Sequence, residues 1–263
     1  MPTLSRPGAT VYYEAYGPEA PSRPAIVFAH GAGGNAAIWF NQLAHFATDY
    51  RCIAFDHRCF ARSPSNETLT VHAFRDDLLA IMDELGIPSA HLVGQSMGGF
   101  TSLRCALDTP DRVVSLTLSC TTGGIINPQP SAAMRDLTAA TGRGTAGVKA
   151  TMSAATAQNA ALMQLYESIN NFNQEFSWDK LSTLLGKDDV VQLDTLQQVQ
   201  CPTLFISGAE DPLFSSELLA SYVPHFPDAR IEVIEDTGHS PYFERPDVFN
   251  KLLGEHLSRA EPN

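Results

Sequence analysis

The strongest local indication of the fold lies at Leu92-Val93-Gly94-Gln95-Ser96-Met97-Gly98-Gly99. Apolar residues lead into its G-x-S-x-G pattern, and small residues lead out of it into a helix-like run. The pattern predicts a sharp turn from a strand into a helix, in which Ser96 has a strained backbone and an exposed hydroxyl. Glycines two residues before and after Ser96 remove the Cβ atoms that would collide at such a turn. The pattern alone is only moderately specific, so the rest of the chain must supply the context.

Composition and charge place the chain among ordinary globular proteins. It has 263 residues, of which 44% are hydrophobic and 17% are charged, which is enough for one large core. The net charge of −12 disfavours nucleic acid and anionic membrane surfaces as partners, because both are negatively charged. Residues 1–7 contain no apolar run, and no stretch approaches the ~18 apolar residues that a spanning helix needs. We therefore expect a cytoplasmic protein.

The cysteine and ligand patterns indicate neither disulfides nor a metal site. The five cysteines are an odd number and include no C-x-x-C pair, which is typical of reduced thiols. No H-E-x-x-H pattern or comparable ligand cluster occurs, and the phosphate-binding pattern G-x-x-x-x-G-K-[ST] is absent. The sequence therefore predicts no metal and no cofactor, and it does not indicate an oligomeric state.

Buried strands and helices alternate through the first half of the chain. An aromatic and β-branched run at 10–16 predicts an early strand. Apolar runs typical of strands buried on both faces follow at 25–29, 51–56, 90–93 and 113–119, with helical periodicity between them. This alternation predicts an α/β fold with a mostly parallel, doubly wound sheet. In such a sheet the functional groups collect beyond the C-terminal ends of the strands.

The pattern changes after residue 122. The range 123–195 is rich in Ala, Thr, Asn and Gln and lacks clear buried strands, so we interpret it as a helical insertion. An insertion at this point would lie over the strand ends as a cap, and an ordinary helical excursion without a substrate role is the alternative. The predicted organisation is therefore a core in two parts, 1–122 and 196–263, separated by a helical cap at 123–195.

Three residues of complementary chemistry follow predicted strands. Ser96, Asp211 and His239 each come just after an apolar strand, in that order along the chain. A histidine can remove the serine proton near neutral pH, and a carboxylate can hold the imidazole in the required tautomer. The three residues are therefore the candidate catalytic triad. Glu210 and Asp236 are rival acids, and Asp236 is poorly placed because it shares a loop with His239.

A glycine-rich turn follows the strand at 25–29. It opens with His30-Gly31-Ala32-Gly33, and we predict that the backbone N–H groups of Ala32 and Met97 bind a developing oxyanion. His30 is interpreted as a scaffold residue that ties this turn in place. The residues interpreted as the substrate pocket are Gly31, Trp39, Gln95, Phe172 and Trp178, with core packing as the alternative for Trp39.

These segments together resemble the α/β-hydrolase fold serine hydrolases across roughly the whole chain. The resemblance is closest to small lid-bearing esterases, enol-lactonases, carbon–carbon bond hydrolases and cofactor-free haloperoxidase-like enzymes. The resemblance is specific for the fold and the triad, but it is weak evidence for the identity of the substrate. The residues that carry it are His30-Gly31 with Gly33, Asp56 with Arg58 and Ser63, the 94–99 turn, Gly208 with Asp211, and Gly238-His239 with Glu244 and Pro246.

One loop departs from the family pattern. Such proteins usually carry D-x-R-G-x-G-x-S at this point, whereas Cys59 and Ala61 replace both glycines here. Where glycine occupies a left-handed conformation, a side chain costs on the order of 1 kcal/mol or more. The loop therefore either follows another path or tolerates the strain. Cys59 is either a thiol at the edge of the pocket or a packed spectator.

The resemblance implies hydrolysis of a small carboxylic ester or lactone through an acyl-enzyme on Ser96. The expected partner is a small-molecule ester, lactone or ketone. Three alternatives stay open: a carbon–carbon bond hydrolase acting on a dienol-ketone, an acyltransferase, and, from a different class, a ligand-binding receptor on a hydrolase scaffold. The sequence does not name the substrate, because that depends on the geometry of the cap.

Overall fold

An eight-stranded sheet forms the centre of the protein in the computed structural model, which describes residues 2–19, 23–126, 149–173, 184 and 189–261. The strands are β1 (Thr3–Arg6), β2 (Ala9–Tyr16), β3 (Ala25–Ala29), β4 (Cys52–Phe55), β5 (Ala90–Gln95), β6 (Val113–Ser119), β7 (Thr203–Gly208) and β8 (Ala229–Ile234). They lie in the order β1-β2-β4-β3-β5-β6-β7-β8. β2 pairs antiparallel with both β1 and β4, and the pairs from β4 to β8 are parallel.

In the order of the chain, the helices come between these strands and after the last of them. They are α1 (Phe40–Phe46), α2 (Val71–Glu84), α3 (Met97–Asp108), α4 (Ala154–Gln158), α5 (Ala160–Asn170), α6 (Ser216–Tyr222), α7 (Pro241–Glu244) and α8 (Pro246–Ala260). Short 3-10 turns occupy Ala36–Trp39, Pro110–Arg112, Leu193–Gln198 and Val223–His225. Within the described ranges, no helix has both the length and the apolar character needed to cross a membrane.

Two apolar cores cover the two faces of the sheet. Along β3, Val27 belongs to one core, and its neighbours Ile26 and Phe28 belong to the other. Such a strand reads as a continuous apolar run because both of its faces are covered. All residues of β3, β5 and β7 are accordingly buried. The predicted α/β fold with a mostly parallel, doubly wound sheet is confirmed.

The parallel register brings the C-terminal ends of several strands to one edge of the sheet. Ala29 at the end of β3 pairs with Gly94 near the end of β5. At the other side, Gly208 at the end of β7 pairs with Ile234 at the end of β8. The loops that follow these strands therefore start from the same level, and their side chains can meet above the sheet.

Some elements differ from the prediction, mostly because they are short. β1 has four residues and α7 has four, too few for a periodic pattern, and neither was predicted. The seven-residue α6 was also missed. The helical segment predicted between the strands at 25–29 and 51–56 is divided into a 3-10 turn at Ala36–Trp39 and α1. The Asn35 side chain starts that turn by accepting the N–H of Ala37 at 3.0 Å.

Residues 149–173 belong to the predicted insertion and contain α4 and α5. Ser153 and Asn159 cap the N-termini of these two helices with their side-chain oxygens. At the base of the insertion, Ile125 and Val191 form an isolated parallel bridge. The bridge lies close to the predicted boundaries, and the division into core and cap stays a prediction.

Candidate active site

Ser96 lies at the turn between β5 and α3. Gln95 ends the strand and Met97 begins the helix, so the change of direction falls on Ser96. Its backbone has φ 50° and ψ −117°, outside the regions that non-glycine residues normally occupy. Its N–H donates to the Ser119 carbonyl at 3.0 Å, and its carbonyl accepts the Thr121 hydroxyl at 2.6 Å. The surrounding structure thus holds the strained turn that the G-x-S-x-G pattern predicts.

Two glycines allow this turn to be so tight. A Cβ atom on Gly98 would lie 2.1 Å from the carbonyl oxygen of Ala29 in β3. A Cβ atom on Gly94 would lie 2.4 Å from the carbonyl oxygen of Gly98. A side chain at either position would push α3 away from the sheet. The first turn of α3 therefore stays directly behind Ser96, where its free N–H groups favour a negative charge.

His239 and Asp211 are hydrogen-bonded to each other beyond the ends of β8 and β7. The Nδ1 atom of His239 lies 2.9 Å from Oδ2 of Asp211, and both residues are buried. The other carboxylate oxygen accepts the N–H groups of Leu213 and Phe214 at 2.9 and 3.3 Å. An ionised carboxylate can only accept, so it holds the proton on Nδ1 and leaves Nε2 as the basic nitrogen.

The two rival carboxylates make other contacts. Glu210 accepts the N–H of Ala154 at 2.8 Å. Asp236 is exposed and pairs with Arg245 at 3.6 Å. Of the three acids considered from the sequence, Asp211 is the one that contacts the His239 ring.

Three groups outside the His239 loop hold its backbone. The Nε2 atom of Gln95 donates to the His239 carbonyl at 2.9 Å, which links the histidine to the β5–α3 turn. The His239 N–H donates to the carbonyl of Thr151, in the inserted segment, at 2.7 Å. The Glu244 carboxylate in α7 accepts the N–H of Gly238 at 2.9 Å. Sequence reasoning missed Thr151, because a backbone carbonyl leaves no signature in residue type.

The glycine-rich loop after β3 lies against Ser96. A Cβ atom on Gly31 would lie 3.0 Å from the Cβ atom of Ser96 and 2.0 Å from Oε1 of Gln95. Glycine at position 31 thus permits the close approach of the loop. The N–H of Gly34 donates to the Gly31 carbonyl at 3.0 Å and closes the loop into a turn. Ala32, one of the two predicted oxyanion donors, lies within this turn.

His30 ties the same loop to the core. Its Nδ1 atom lies 2.7 Å from the Gly31 carbonyl oxygen, and its Nε2 atom accepts the N–H of His57 at 3.0 Å. Burial lowers the pKa of His30 to about 4, which outweighs the opposite effect of the Asp56 carboxylate. The ring is therefore neutral at pH 7, and a neutral ring can donate through Nδ1 while it accepts through Nε2.

An apolar cluster borders both predicted oxyanion donors. Met97 is one of its buried members, and Ala32 packs against it. Apolar surroundings strengthen hydrogen bonds to a developing charge, because the local dielectric is low. The other members or neighbours of the cluster are Cys59, Phe60, Leu69, Val71, Phe74, Leu184 and Phe100.

The remaining predicted pocket residues are Trp39, Phe172 and Trp178. Phe172 is 56% exposed, and Trp178 lies outside the described residues, so a pocket role for these two stays a prediction. Trp39 is fully buried, which fits its alternative interpretation as a core residue. It packs against three rings, those of Phe28, Tyr242 and Phe249.

A thiol lies beside the His239–Asp211 pair. Within the described part of the chain, the group of three potential metal ligands is Cys120, Asp211 and His239, whose ligand atoms lie within 4.8 Å of one another. Burial and the neighbouring Asp211 charge raise the pKa of the Cys120 thiol well above its ordinary value. His239 and Asp211 are hydrogen-bonded to each other, and the Cys120 thiol lies 3.8 Å from the Gly238 carbonyl oxygen. The contacts of this group in the structure are therefore hydrogen bonds.

Comparisons with known proteins agree with this geometry. The family model for the alpha/beta hydrolase fold matches residues 24–246. The "Putative carbamate hydrolase RutD" of Caulobacter sp. (strain K31) is 28% identical over 261 residues, covering 94% of this chain and 96% of that protein. The "3-oxoadipate enol-lactonase 1" of Acinetobacter baylyi (strain ATCC 33305 / BD413 / ADP1) is 28% identical over 259 residues, covering 95% and 93%. Both relatives are named for hydrolytic reactions.

A solved structure has the same arrangement of elements. The enol-lactonase from Burkholderia xenovorans LB400 matches with a TM-score of 0.83 at 20% identity, covering 98% of this chain and 100% of that one. At this identity the likeness shows the fold, and the family match extends over most of the sheet and the loops around Ser96. The chain therefore belongs to the alpha/beta hydrolase fold family of enzymes.

Proposed function

We propose that the protein is a serine hydrolase that cleaves a small carboxylic ester or lactone through an acyl-enzyme. The observation that carries the proposal is the His239–Asp211 hydrogen bond at the same sheet edge as the strained turn of Ser96. A serine hydroxyl is a weak nucleophile until a base removes its proton, and a base on a neighbouring strand end supplies that need. The substrate class is supported by the relatives, one of which is named as an enol-lactonase.

In the first step, Ser96 attacks the substrate carbonyl carbon while Nε2 of His239 removes the hydroxyl proton. Asp211 keeps Nδ1 protonated and stabilises the imidazolium that forms. The N–H groups of Ala32 and Met97 bind the carbonyl oxygen as it becomes negative, and the N-terminus of α3 favours the same charge. The imidazolium then gives its proton to the leaving alcohol, and the acyl group stays on the serine.

In the second step, a water molecule replaces the alcohol. His239 removes a proton from the water as its oxygen attacks the acyl carbon, and the same two N–H groups stabilise the second oxyanion. The proton returns to Ser96 when the carboxylic acid leaves. For a lactone, the alcohol and the acid belong to one molecule, so the product is a single hydroxy acid.

The inserted segment is proposed to act as the cap that selects the substrate. Its described residues contact loops on two sides of the site: Thr151 accepts the His239 N–H, and Asn173 donates to the Gly33 carbonyl. The hydroxyl of Tyr166 in α5 also lies 3.2 Å from the Ser240 hydroxyl. Segments in this position commonly close over substrates and shape the pocket.

A fluorophosphonate probe tests the nucleophile directly, because it forms a stable adduct with an activated serine. We expect one adduct on Ser96, located by peptide mass spectrometry. Ser96→Ala is expected to abolish the adduct and to lower kcat for p-nitrophenyl acetate at least about a thousandfold. Ser221→Ala, at an exposed serine in α6, is the matched control and keeps both properties. Full turnover by Ser96→Ala would overturn the proposal.

A substrate panel separates the proposed reaction from its alternatives. Short esters, lactones and carbamates are assayed beside a dienol-ketone, with and without an acceptor alcohol. We expect ester or lactone hydrolysis to be fastest. A dominant dienol-ketone activity would favour a carbon–carbon bond hydrolase, and a product acylated on the acceptor would favour an acyltransferase. Tight binding without steady-state turnover would favour a receptor.

A further inference from the structure

We propose that Asn173, in the inserted segment, is a positioning residue for the oxyanion hole. The inference rests on the proposed function, since it concerns the loop that would supply the Ala32 N–H. Asn173 follows the C-terminal end of α5 and is half-buried. Its side-chain amide joins two loops of the core, the glycine-rich loop at Gly33 and the Cys59–Ala61 loop, although Asn173 itself belongs to none of the hydrolase motifs.

Both ends of the Asn173 amide are used. Its Nδ2 group donates to the Gly33 carbonyl at 2.5 Å and to the Asn170 carbonyl at 3.1 Å. Its Oδ1 atom accepts the N–H of Ala61 at 2.9 Å. The partners are main-chain groups, two carbonyls and one N–H, so the orientation of the amide is determined by their chemistry. Only a side chain with a donor and an acceptor side by side can make both contacts.

The contact at Gly33 adds to the hydrogen bonds by which His30 and Gly34 hold the Gly31 carbonyl of the glycine-rich loop. Gly33 has φ +81°, and among the described residues no atom beyond its chain neighbours lies within 4 Å of the position that its Cβ would occupy. A glycine without packing is free to change its conformation, and Gly33 directly follows Ala32. The hydrogen bond from Asn173 holds the Gly33 carbonyl in place and so limits rotation of the neighbouring peptide units. The direction of the Ala32 N–H depends on those units.

A second asparagine makes the reverse contact, from the glycine-rich loop to α5. Asn35, fully buried at the end of the glycine-rich loop, donates from Nδ2 to the Ile169 carbonyl in α5 at 2.8 Å. The loop and the end of α5 therefore hold each other through one amide from each side. These two contacts hold the inserted segment in one position on the glycine-rich loop. They also place Asn173 where it can fix the position of the Ala32 N–H.

The effect on catalysis follows from when the oxyanion exists. The negative oxygen forms in the transition state and not in the bound substrate, so a displaced donor raises the barrier without weakening substrate binding. Complete removal of one donor typically costs about 100- to 1000-fold in kcat, and displacement of a donor that remains present costs less. Loss of the Asn173 contacts should therefore lower kcat and leave KM nearly unchanged.

The test compares Asn173→Ala with Asn159→Ala. Asn159 is exposed and caps the N-terminus of the same helix, accepting the Leu162 N–H at 3.1 Å, so its loss weakens α5 at the end away from the glycine-rich loop. For p-nitrophenyl acetate we expect Asn173→Ala to lower kcat about tenfold, with KM within twofold of wild type. Asn159→Ala should keep kcat within about twofold of the wild-type value, even if its Tm falls as far as the Tm of Asn173→Ala.

A third variant keeps the inference testable if the alanine variant folds poorly. Asn173→Asp retains the acceptor for Ala61 but sets a carboxylate oxygen against the Gly33 carbonyl, so kcat should fall at least as far as in Asn173→Ala. The rate of fluorophosphonate labelling should fall in the same ratio. Equal losses in the Asn173 and Asn159 variants, or wild-type kcat in Asn173→Asp, would overturn the inference. Failure of the proposed function itself would appear separately, as full activity of Ser96→Ala.

Discussion

Cys59 and Ala61 hold left-handed backbone conformations, with φ of 69° and 40°. The loop therefore follows the path for which the family pattern uses glycine, and it tolerates the strain. Hydrogen bonds within the loop maintain this path: Cys59 N–H donates to the Ser63 carbonyl at 2.7 Å, and Phe60 N–H donates to the His57 carbonyl at 2.9 Å. The Cys59 thiol is buried and lies 3.5 Å from the Ser65 carbonyl oxygen, which fits a packed spectator.

Ala61→Gly is expected to stabilise the protein. Glycine removes the left-handed strain, and after subtraction of its greater freedom in the unfolded chain the gain is up to about 1 kcal/mol. The matched control is Ala220→Gly, at an exposed position in α6, where the same substitution should cost about 1 kcal/mol. Chemical denaturation measures both. Destabilisation of similar size in the two variants would show that Ala61 is not strained.

Helix α7 connects the His239 loop to the predicted insertion. Its last residue, Glu244, accepts the N–H groups of Gly238 and Ser240 through Oε1 at 2.9 and 3.2 Å. Its other oxygen accepts the N–H of Ser153 at 2.9 Å. One buried carboxylate thus satisfies three backbone donors from two separate segments, which a neutral side chain of the same shape cannot do.

Glu244→Gln tests this junction. The amide replaces one acceptor oxygen with a donor that faces an N–H group, so we expect a loss of about 2 kcal/mol in the free energy of unfolding. Because the His239 loop loosens, kcat should fall as well. Glu232→Gln, at a half-exposed carboxylate of β8, serves as control and should stay within about 0.5 kcal/mol of wild type. Equal stability of the two variants would contradict the assigned role of Glu244.

The sequence predicts elements well where burial imposes a pattern. The strands at 25–29 and 113–119 are predicted with the bounds that the structure has, because apolar runs of that length fit strands buried on both faces. β1, with the sequence TLSR at the sheet edge, carries no such signal. Contacts such as Glu244 with Ser153 join distant segments through main-chain groups, so residue type does not reveal them.

The candidate site is predictable from the sequence to the same extent as the elements of the fold. Residue type and position after a strand point to Ser96, Asp211 and His239, and the structure adds the 2.9 Å contact between the last two. The hydrogen bonds of Thr151 and Asn173 depend on how the inserted segment lies on the core. No local pattern encodes that placement, and their roles emerge only from the assembled fold.

Buried histidines in several parts of the protein link its stability to pH. Burial lowers the pKa of His30 and His256 to about 4 and that of His91 to about 3. In the unfolded chain these rings have pKa values near ~6.5, so below that pH the unfolded state binds protons that the folded state does not. The stability they contribute is complete above about pH 6.5 and is lost as the pH falls toward about 4 for His30 and His256 and about 3 for His91.

We expect Tm to fall between pH 6.5 and 4.5, and His256→Gln to reduce the slope. The lowered pKa of His256 corresponds to a contribution on the order of 3 kcal/mol over the full range. Its ring contacts the Leu116 carbonyl, so the variant starts from a lower Tm, and the slope is the quantity to compare. His45→Gln, at an exposed histidine of α1, should keep the wild-type slope. Parallel curves for all three proteins would contradict this account.

The paired backbone at the base of the insertion has a consequence for how such proteins diversify. Ile126 N–H donates to the Val191 carbonyl, and Val191 N–H donates to the Gly124 carbonyl, both at 2.9 Å. The chain thus leaves and re-enters the sheet through adjacent points, so we expect that the residues between them can be exchanged between relatives without disturbing the strands. A transplanted insertion would have to reproduce two docking groups, a carbonyl for the His239 N–H and an amide for the glycine-rich loop. If the insertion selects the substrate as proposed, a chimaera that retains 149–173 and replaces the rest of it is expected to keep this geometry and to change the substrate preference.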